Sequence, residues 1–273
     1  MVLYPPAKIN IGLSIIGKRP DGFHNIETVF YPIQLCDCLT VEAAGADAVC
    51  QFVFSCNGIE LPDNEIHNNL CCKAYRLLNA DCDLPPVSIH LHKAIPVGAG
   101  LGGGSSDAAY TLQALNSLFQ LKIPGEELAR YASRLGSDCV FFLHGKPAFG
   151  TEKGDHLQPV SLSLAGYHLL LVKPPVFVNT TDAYSSVTPQ KPKRHLPELL
   201  QAPVNEWRHT VFNDFELSVF KKFPEIRRIK EKLYHEGAVY ASMSGSGSTV
   251  YGIFDKKTDE VAKLFPDCFV WKG

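Results

Sequence analysis

Apolar and polar positions switch between two periods along the chain, and the switches mark its elements. Residues 7–13, Ala-Lys-Ile-Asn-Ile-Gly-Leu, alternate small or apolar with polar side chains, which predicts a half-buried strand. Pro20-Asp-Gly-Phe-His24 reads as a turn, and residues 26–30 and 37–42 read as further strands. Residues 64–78 carry Leu70, Ala74, Leu77 and Leu78 at helical spacing. Pro85-Pro86 then breaks the chain before a clean alternation at 87–95. There Val87, Ile89 and Leu91 take one face, and Ser88, His90 and His92 the other. The His90-x-His92 pair has no third ligand in view, so it is read as a solvent face.

A glycine-rich segment follows, and then a helix over 107–118 with Ala108, Leu112, Leu115 and Phe119 on one stripe. A second helix is expected over 126–135, with Gly136 as a left-handed cap. Residues 167–172 read as a strand, 179–206 as a loop-rich stretch, and 224–237 as a charged amphipathic helix. Residues 241–247 read as a small-residue turn, 248–254 as a strand and 258–265 as a last short helix. Strands and helices mix without a strict βαβ rhythm, so the expected class is α+β. The Gly/Lys/Asp-rich stretch 150–155 sets the expected domain boundary: residues 1–155, then 156–273.

Composition narrows the function. The 26 basic and 28 acidic side chains give a formal net charge of −2, without the electrostatic footprint of a nucleic-acid binder. The one basic run, Lys191, Lys193 and Arg194, reads as a solvated loop. No stretch approaches the ~18 apolar residues of a membrane span. The first residues, MVLYPPAKIN, lack a secretory pattern. Nine scattered cysteines fit reduced thiols, and so a cytoplasmic protein, better than a disulfide framework. Neither Cys36-Asp-Cys38 nor Cys71-Cys72 has a partner pair at zinc spacing, and no metal ligand set is assigned.

The candidate chemistry lies in the segment Pro96, Val97, Gly98, Ala99, Gly100, Leu101, Gly102, Gly103, Gly104, Ser105 and Ser106. Glycines let backbone amides approach a ligand, and the helix start beyond them adds unpaired N–H groups and partial positive charge. That is a polyphosphate site; a flexible linker would not stand between an alternating strand and a periodic helix. It is not a Walker A loop, since no Gly-Lys-Ser/Thr follows. The dinucleotide fingerprint lacks its later acidic residue, and the protein-kinase elements are missing.

This run, followed by Asp107-Ala-Ala, resembles the second motif of the galactokinase–homoserine kinase–mevalonate kinase–phosphomevalonate kinase (GHMP) superfamily. Pro6-Ala-Lys-Ile-Asn10 before it and Met243-Ser-Gly-Ser-Gly-Ser248 after it match in order. Arg19-Pro-Asp-Gly-Phe-His24, Leu135-Gly-Ser-Asp138 and Asn213-Asp-Phe-Glu216 bring the chain closest to the branch whose acceptor carries a cytidine diphosphate moiety. The resemblance covers essentially the whole chain. It implies a two-domain fold with the active site in the cleft between domains, ATP as co-substrate and Mg²⁺ from the chemistry. It also implies no nucleic-acid or membrane partner; a monomer or weak homodimer is expected. Asp138 matches the catalytic aspartate that accepts or orients the acceptor hydroxyl, and Lys8 the lysine paired with it. The eleven residues 96–106 fall where ATP binds. Asn10, Phe23, His24, Thr180, Thr181 and Tyr184 fall where the substrate binds, with Phe23 standing where Tyr is commoner. Asp107, where Asn also occurs, is explained as a first-turn helix acid, with metal binding the alternative. Other acceptors (homoserine, mevalonate), or an ATP-dependent diphosphate decarboxylase, are the alternatives to be tested.

Overall fold

The alternation at 87–95 is a strand, β6 (Val87–Lys93), with Val87, Ile89, Leu91 and Lys93 all buried on one face. It lies in a four-stranded sheet, order β1-β4-β6-β5, with β1 (Val2–Leu3), β4 (Cys38–Ala43) and β5 (Phe52–Gly58). Only β5 and β6 run parallel; the other pairs are antiparallel. The computed structural model describes residues 1–45, 50–60, 68–185 and 187–273. Of the helix expected over 64–78, residues 64–67 lie outside the described residues. The rest is α1 (Leu70–Cys82), capped by Asn69, whose side chain accepts from the Cys71 N–H at 2.9 Å.

The chain forms two compact units, each discontinuous in sequence. The first comprises Met1–Ala7, Ile33–Val97 and Gly102–Lys146. Besides the sheet and α1 it holds α2 (Gly103–Leu118), α3 (Gly125–Leu135) and α4 (Cys139–His144). α2 packs against α1, α3, α4 and β4. Its buried side includes Ala108, Leu112 and Leu115 of the expected stripe. α2 begins four residues before the expected start, so Asp107 lies one turn inside it. Gly136 does end α3, but in an extended conformation (φ 170°), not the left-handed one expected.

The second unit comprises Lys8–Pro32, Gly98–Leu101 and Pro147–Gly273. It contains most of β2 (Pro6–Lys18) and β3 (His24–Cys36). These pair with β7 (Ala148–Thr151) and β8 (His156–Pro159) in a sheet of order β2-β3-β7-β8. A second sheet, entirely antiparallel, runs β10 (Tyr240–Met243), β11 (Val250–Phe254), β9 (His168–Lys173), β12 (Phe269–Lys272). Leu13 and Ile15 of β2 share one core with Leu170, Val172, Phe215, Ile226, Leu233 and Val250. The helices are α5 (Thr180–Tyr184), α6 (Leu196–Leu199), α7 (Phe215–Lys222), α8 (Pro224–His235) and α9 (Asp259–Ala262), with a 3₁₀ turn at Val204–His209.

Several of these escape the sequence pattern. α4, α5 and α6 span too few residues for a helical period to show, while α9 falls inside the short helix expected over 258–265. The expected turn at 241–247 is wrong in its first half, because Tyr240–Met243 pairs with β11. The turn proper begins at Ser244, whose N–H donates to the Thr249 carbonyl at 2.9 Å.

Candidate active site

Three motifs distant in sequence meet in the second unit. Lys8, read alone, would be an exposed strand residue; it is buried at 3 % exposure. Its ammonium donates to Asn10 Oδ1 at 2.5 Å and to the Gly100 carbonyl at 3.1 Å, and lies 5.5 Å above the Phe30 ring. Its backbone N–H donates to Leu101 O at 2.9 Å. Ser244 joins both segments: its hydroxyl donates to Gly100 O at 2.8 Å and accepts from the Asn10 N–H at 3.2 Å. Asn10 is held from its other end, its Nδ2 donating to Thr28 Oγ1 at 3.0 Å. Gly100 is required twice over. Its φ of +77° disfavours a side chain, and a Cβ there would overlap the Ser244 carbonyl oxygen.

The segment 213–216 fixes the serine turn. Asn213 Nδ2 donates to the carbonyls of Met243 and Gly245, both at 2.8 Å. Glu216 accepts from the Met243 N–H at 2.9 Å and from Lys230 Nζ at 2.6 Å.

The expected substrate residues divide. His24 and Tyr184 stack on one another, centroids 4.4 Å apart and planes 18° apart, and Tyr184 meets Phe215 edge-on at 4.7 Å. Rings in direct contact leave no gap for a third ring between them. Burial, with the Lys18 charge second, holds the His24 imidazole below its ordinary value. Phe23 is not in the pair; it stands 58 % exposed on the turn beneath the Lys153 ammonium. Thr180 and Thr181 open α5 on the surface, with Asn179 Oδ1 accepting from the Thr181 N–H at 3.0 Å.

In the first unit, Gly102 sits at the head of α2 with φ +72° and supplies no side-chain cap. The first-turn amides of Gly103, Gly104 and Ser105 precede the first helical bond, donated by Ser106 N–H to Gly102 O at 2.9 Å. Asp138, partly buried, immediately precedes α4. The loop carrying it passes beside Ser105: a Cβ on Gly136 would lie 3.9 Å from Ser105 Oγ and 3.5 Å from Cys139 Sγ. Burial pushes the Cys139 thiol up to about 12; a hydrogen bond from Ser105 opposes this and the Asp138 charge reinforces it. Ser105, Cys139 and Asp138 are therefore neighbours at the positive end of α2. Pro96 and Val97 lead into the loop on this unit, while Gly98, Ala99, Gly100 and Leu101 belong with the other.

Asp107 is not a first-turn acid, since the helix begins at Gly103. It is 2 % exposed and its Oδ2 accepts from Lys93 Nζ at 2.8 Å, while the same ammonium bonds Asp37 Oδ2. Asp37 Oδ1 in turn accepts from the N–H groups of Ala94 and Ile95, at 2.6 and 2.8 Å. Burial alone would lower Lys93, but Asp107 and Asp37 outweigh it and raise its affinity for the proton. No cluster of three or more His, Cys, Asp or Glu residues suited to a metal ion occurs among the described residues.

Family models for the GHMP kinases N terminal domain and the GHMP kinases C terminal match residues 69–146 and 194–265. A 4-diphosphocytidyl-2-C-methyl-D-erythritol kinase of Parabacteroides distasonis is 50 % identical, over 100 % of this chain and 99 % of the relative. The chain belongs to the 4-diphosphocytidyl-2-C-methyl-D-erythritol kinase family of the GHMP kinases. A Bacteroides fragilis kinase of the same name is 50 % identical over 97 % of this chain and 95 % of the relative. A crystal structure of a 4-(cytidine 5'-diphospho)-2C-methyl-D-erythritol kinase superposes with TM-score 0.85 at 32 % identity, covering 100 % of this chain and 98 % of that one. A mevalonate kinase structure, at TM-score 0.71 and 15 % identity, shares the fold. The protein is thus a phosphotransferase of α+β architecture. No described helix is long and apolar enough to cross a membrane.

The small residues Gly245-Ser246-Gly247 point to packing against the phosphate loop, and they do approach Gly100, but the individual bonds of Ser244, Asn213 and Glu216 that tie the motifs together are not legible in the sequence. The motifs themselves were visible, but no local pattern announces which carbonyl a serine hydroxyl will meet 144 residues away. Lys93 and Asp37 were equally hidden: a lysine on the apolar face of an alternating strand was the available signal.

Proposed function

We propose that this kinase transfers the γ-phosphoryl group of ATP to the 2-hydroxyl of 4-diphosphocytidyl-2-C-methyl-D-erythritol. The hydroxyl oxygen bonds to phosphorus, the bond to ADP breaks, and the hydroxyl proton leaves to a base or to solvent. The single observation that carries phosphoryl transfer is the junction of Lys8, Asn10, Gly100 and Ser244. It freezes the glycine loop and holds a buried ammonium on it. Full-length kinship supports the acceptor.

The residues take separate roles. Amides of residues 96–106 and the head of α2 receive the ATP phosphates. Asp138 orients the acceptor hydroxyl and takes its proton; the loose transition state of phosphoryl transfer makes orientation the larger part. Lys8 offsets negative charge on the transferring group. His24 and Tyr184 present a stacking face to the cytosine, with Asn10, Phe23, Thr180 and Thr181 along the rest of the substrate. Mg²⁺ fits a feature here, the hydroxyl of Ser106, which is fully buried at the head of α2 and has no hydrogen-bond partner among the described residues. Asp107 has its Oδ2 engaged by Lys93, while its Oδ1 has no hydrogen-bond partner among the described residues. When bound, Mg²⁺ supplies neutralisation of phosphate charge.

A coupled assay of ADP release decides the reading. Release that depends on the cytidine diphosphate substrate, and not on homoserine or mevalonate, supports it. Equal turnover of those acceptors, or release of carbon dioxide, refutes it.

A further inference from the structure

A cavity of about 730 Å³ opens within the second unit, and none of the residues given a role above lines it. Its volume is that of a small-molecule site. The face of β2 and β3 that carries Ser14 and Glu27 lines it; Leu13 and Ile15, on the opposite face of β2, turn into the apolar core. Asp214 adds a second carboxyl, its Oδ2 accepting from the Ile15 N–H at 2.7 Å. Opposite these, the segment 187–199 brings up Lys191, Lys193 and Arg194.

Two independent features show an incomplete site. Glu27 is 7 % exposed, and its Oε2 is buried without a hydrogen-bond partner among the described residues. Its Oε1 faces the exposed His195 ring at 3.6 Å, beyond hydrogen-bond length. A buried carboxylate oxygen without a donor is unfavourable, and a ligand hydroxyl relieves it. On the other side, Lys191, Lys193 and Arg194 make no ion pair or hydrogen bond among the described residues. Three cations against two carboxylates leave the lining net positive. That favours a ligand of net negative charge over a zwitterion, and one whose uncharged end donates several hydrogen bonds.

We propose that this cavity is a second small-molecule site, for a phosphorylated polyol, with its phosphate on Lys191, Lys193 and Arg194 and its hydroxyls donating to Glu27 and Asp214. The basic run is then a phosphate clamp and not a solvated loop. Arginine and lysine both suit that group, arginine by its two-pronged geometry.

Isothermal titration of the full chain with ribose 5-phosphate, inorganic phosphate and ribose tests it. Ribose 5-phosphate is expected to bind more tightly than either fragment. Lys191→Ala with Arg194→Ala, both on the surface segment, should weaken ribose 5-phosphate and phosphate at least tenfold. Glu27→Gln should weaken ribose 5-phosphate but leave phosphate unchanged, since phosphate brings no polyol. Turnover with saturating substrates should stay at the parent level in both variants. No heat with ribose 5-phosphate at millimolar concentration overturns the proposal. So does an affinity unchanged in the double variant, which places the ligand elsewhere. Should Glu27→Gln fail to fold, Ser14→Ala reads the same floor, and equal ribose 5-phosphate binding in it counts against the polyol end.

Discussion

The Ser244 hydroxyl donates to the carbonyl of Gly100 at 2.8 Å, while the Ser244 carbonyl fills the space a Cβ on Gly100 would need. Serine turn and phosphate loop thus share one backbone-thick contact. Gly100→Ala is expected to destabilise the protein by more than about 1 kcal/mol, because alanine is strained at positive φ and the neighbour is backbone. Turnover should fall with it, as the loop carrying the Lys8 ammonium moves. Urea denaturation and the ADP assay check both; an unchanged midpoint would contradict the contact.

Asp138→Asn keeps the size of the side chain and removes its charge. Turnover should fall by about 10²–10⁴, the range for losing a positioned proton acceptor, with the thermal midpoint moved by only a few degrees. Residual activity near the parent level would remove Asp138 from the chemistry.

Lys93→Met strands two buried carboxylates, Asp107 and Asp37, whose shared ammonium is gone. A loss of about 3–5 kcal/mol is expected, as for other buried pairs broken from one side. The double change Lys93→Met with Asp107→Leu should recover part of it, because Asp37 keeps its two backbone donors. Chemical denaturation of the parent, Lys93→Met, Asp107→Leu and the double variant reads the cycle.

The His24 ring, partly desolvated against Tyr184 and near Lys18, should titrate below the ordinary imidazole value of about 6.5. A depressed histidine means the unfolded chain binds more protons between the two pKa values. Stability tied to His24 is therefore full above the unfolded value and falls as pH drops through that window. An imidazole NMR titration gives the midpoint; one above 6.5 would reverse the sign. Tyr184→Ala should raise KM for the cytidine substrate about tenfold with a smaller effect on KM for ATP, consistent with about 1–3 kcal/mol for one base-stacking surface.

Much of the site could be read without coordinates. The glycine run before a periodic helix, the strand carrying Lys8 and Asn10, and the alternation of β6 are local, and local periodicity survives in any sequence that must bury one face. The short helices α4, α5 and α6 could not be read, nor could β5, because single turns and edge strands leave no full period. The direct stack of Tyr184 on His24 could not be read either, because the two rings lie 160 residues apart and meet only in the folded chain.

The sequence by itself determined the chemistry available: a loop rich in glycine at a helix start, one lysine and one aspartate in family motifs, and a near-neutral surface. Tertiary structure alone decided who holds whom. Only folding brought Ser244 onto Gly100, set Lys93 between Asp37 and Asp107, and left one oxygen of Glu27 buried without a donor among the described residues. Hydrogen bonds and ion pairs act over a few ångströms, and chain order places no limit on which groups come that close.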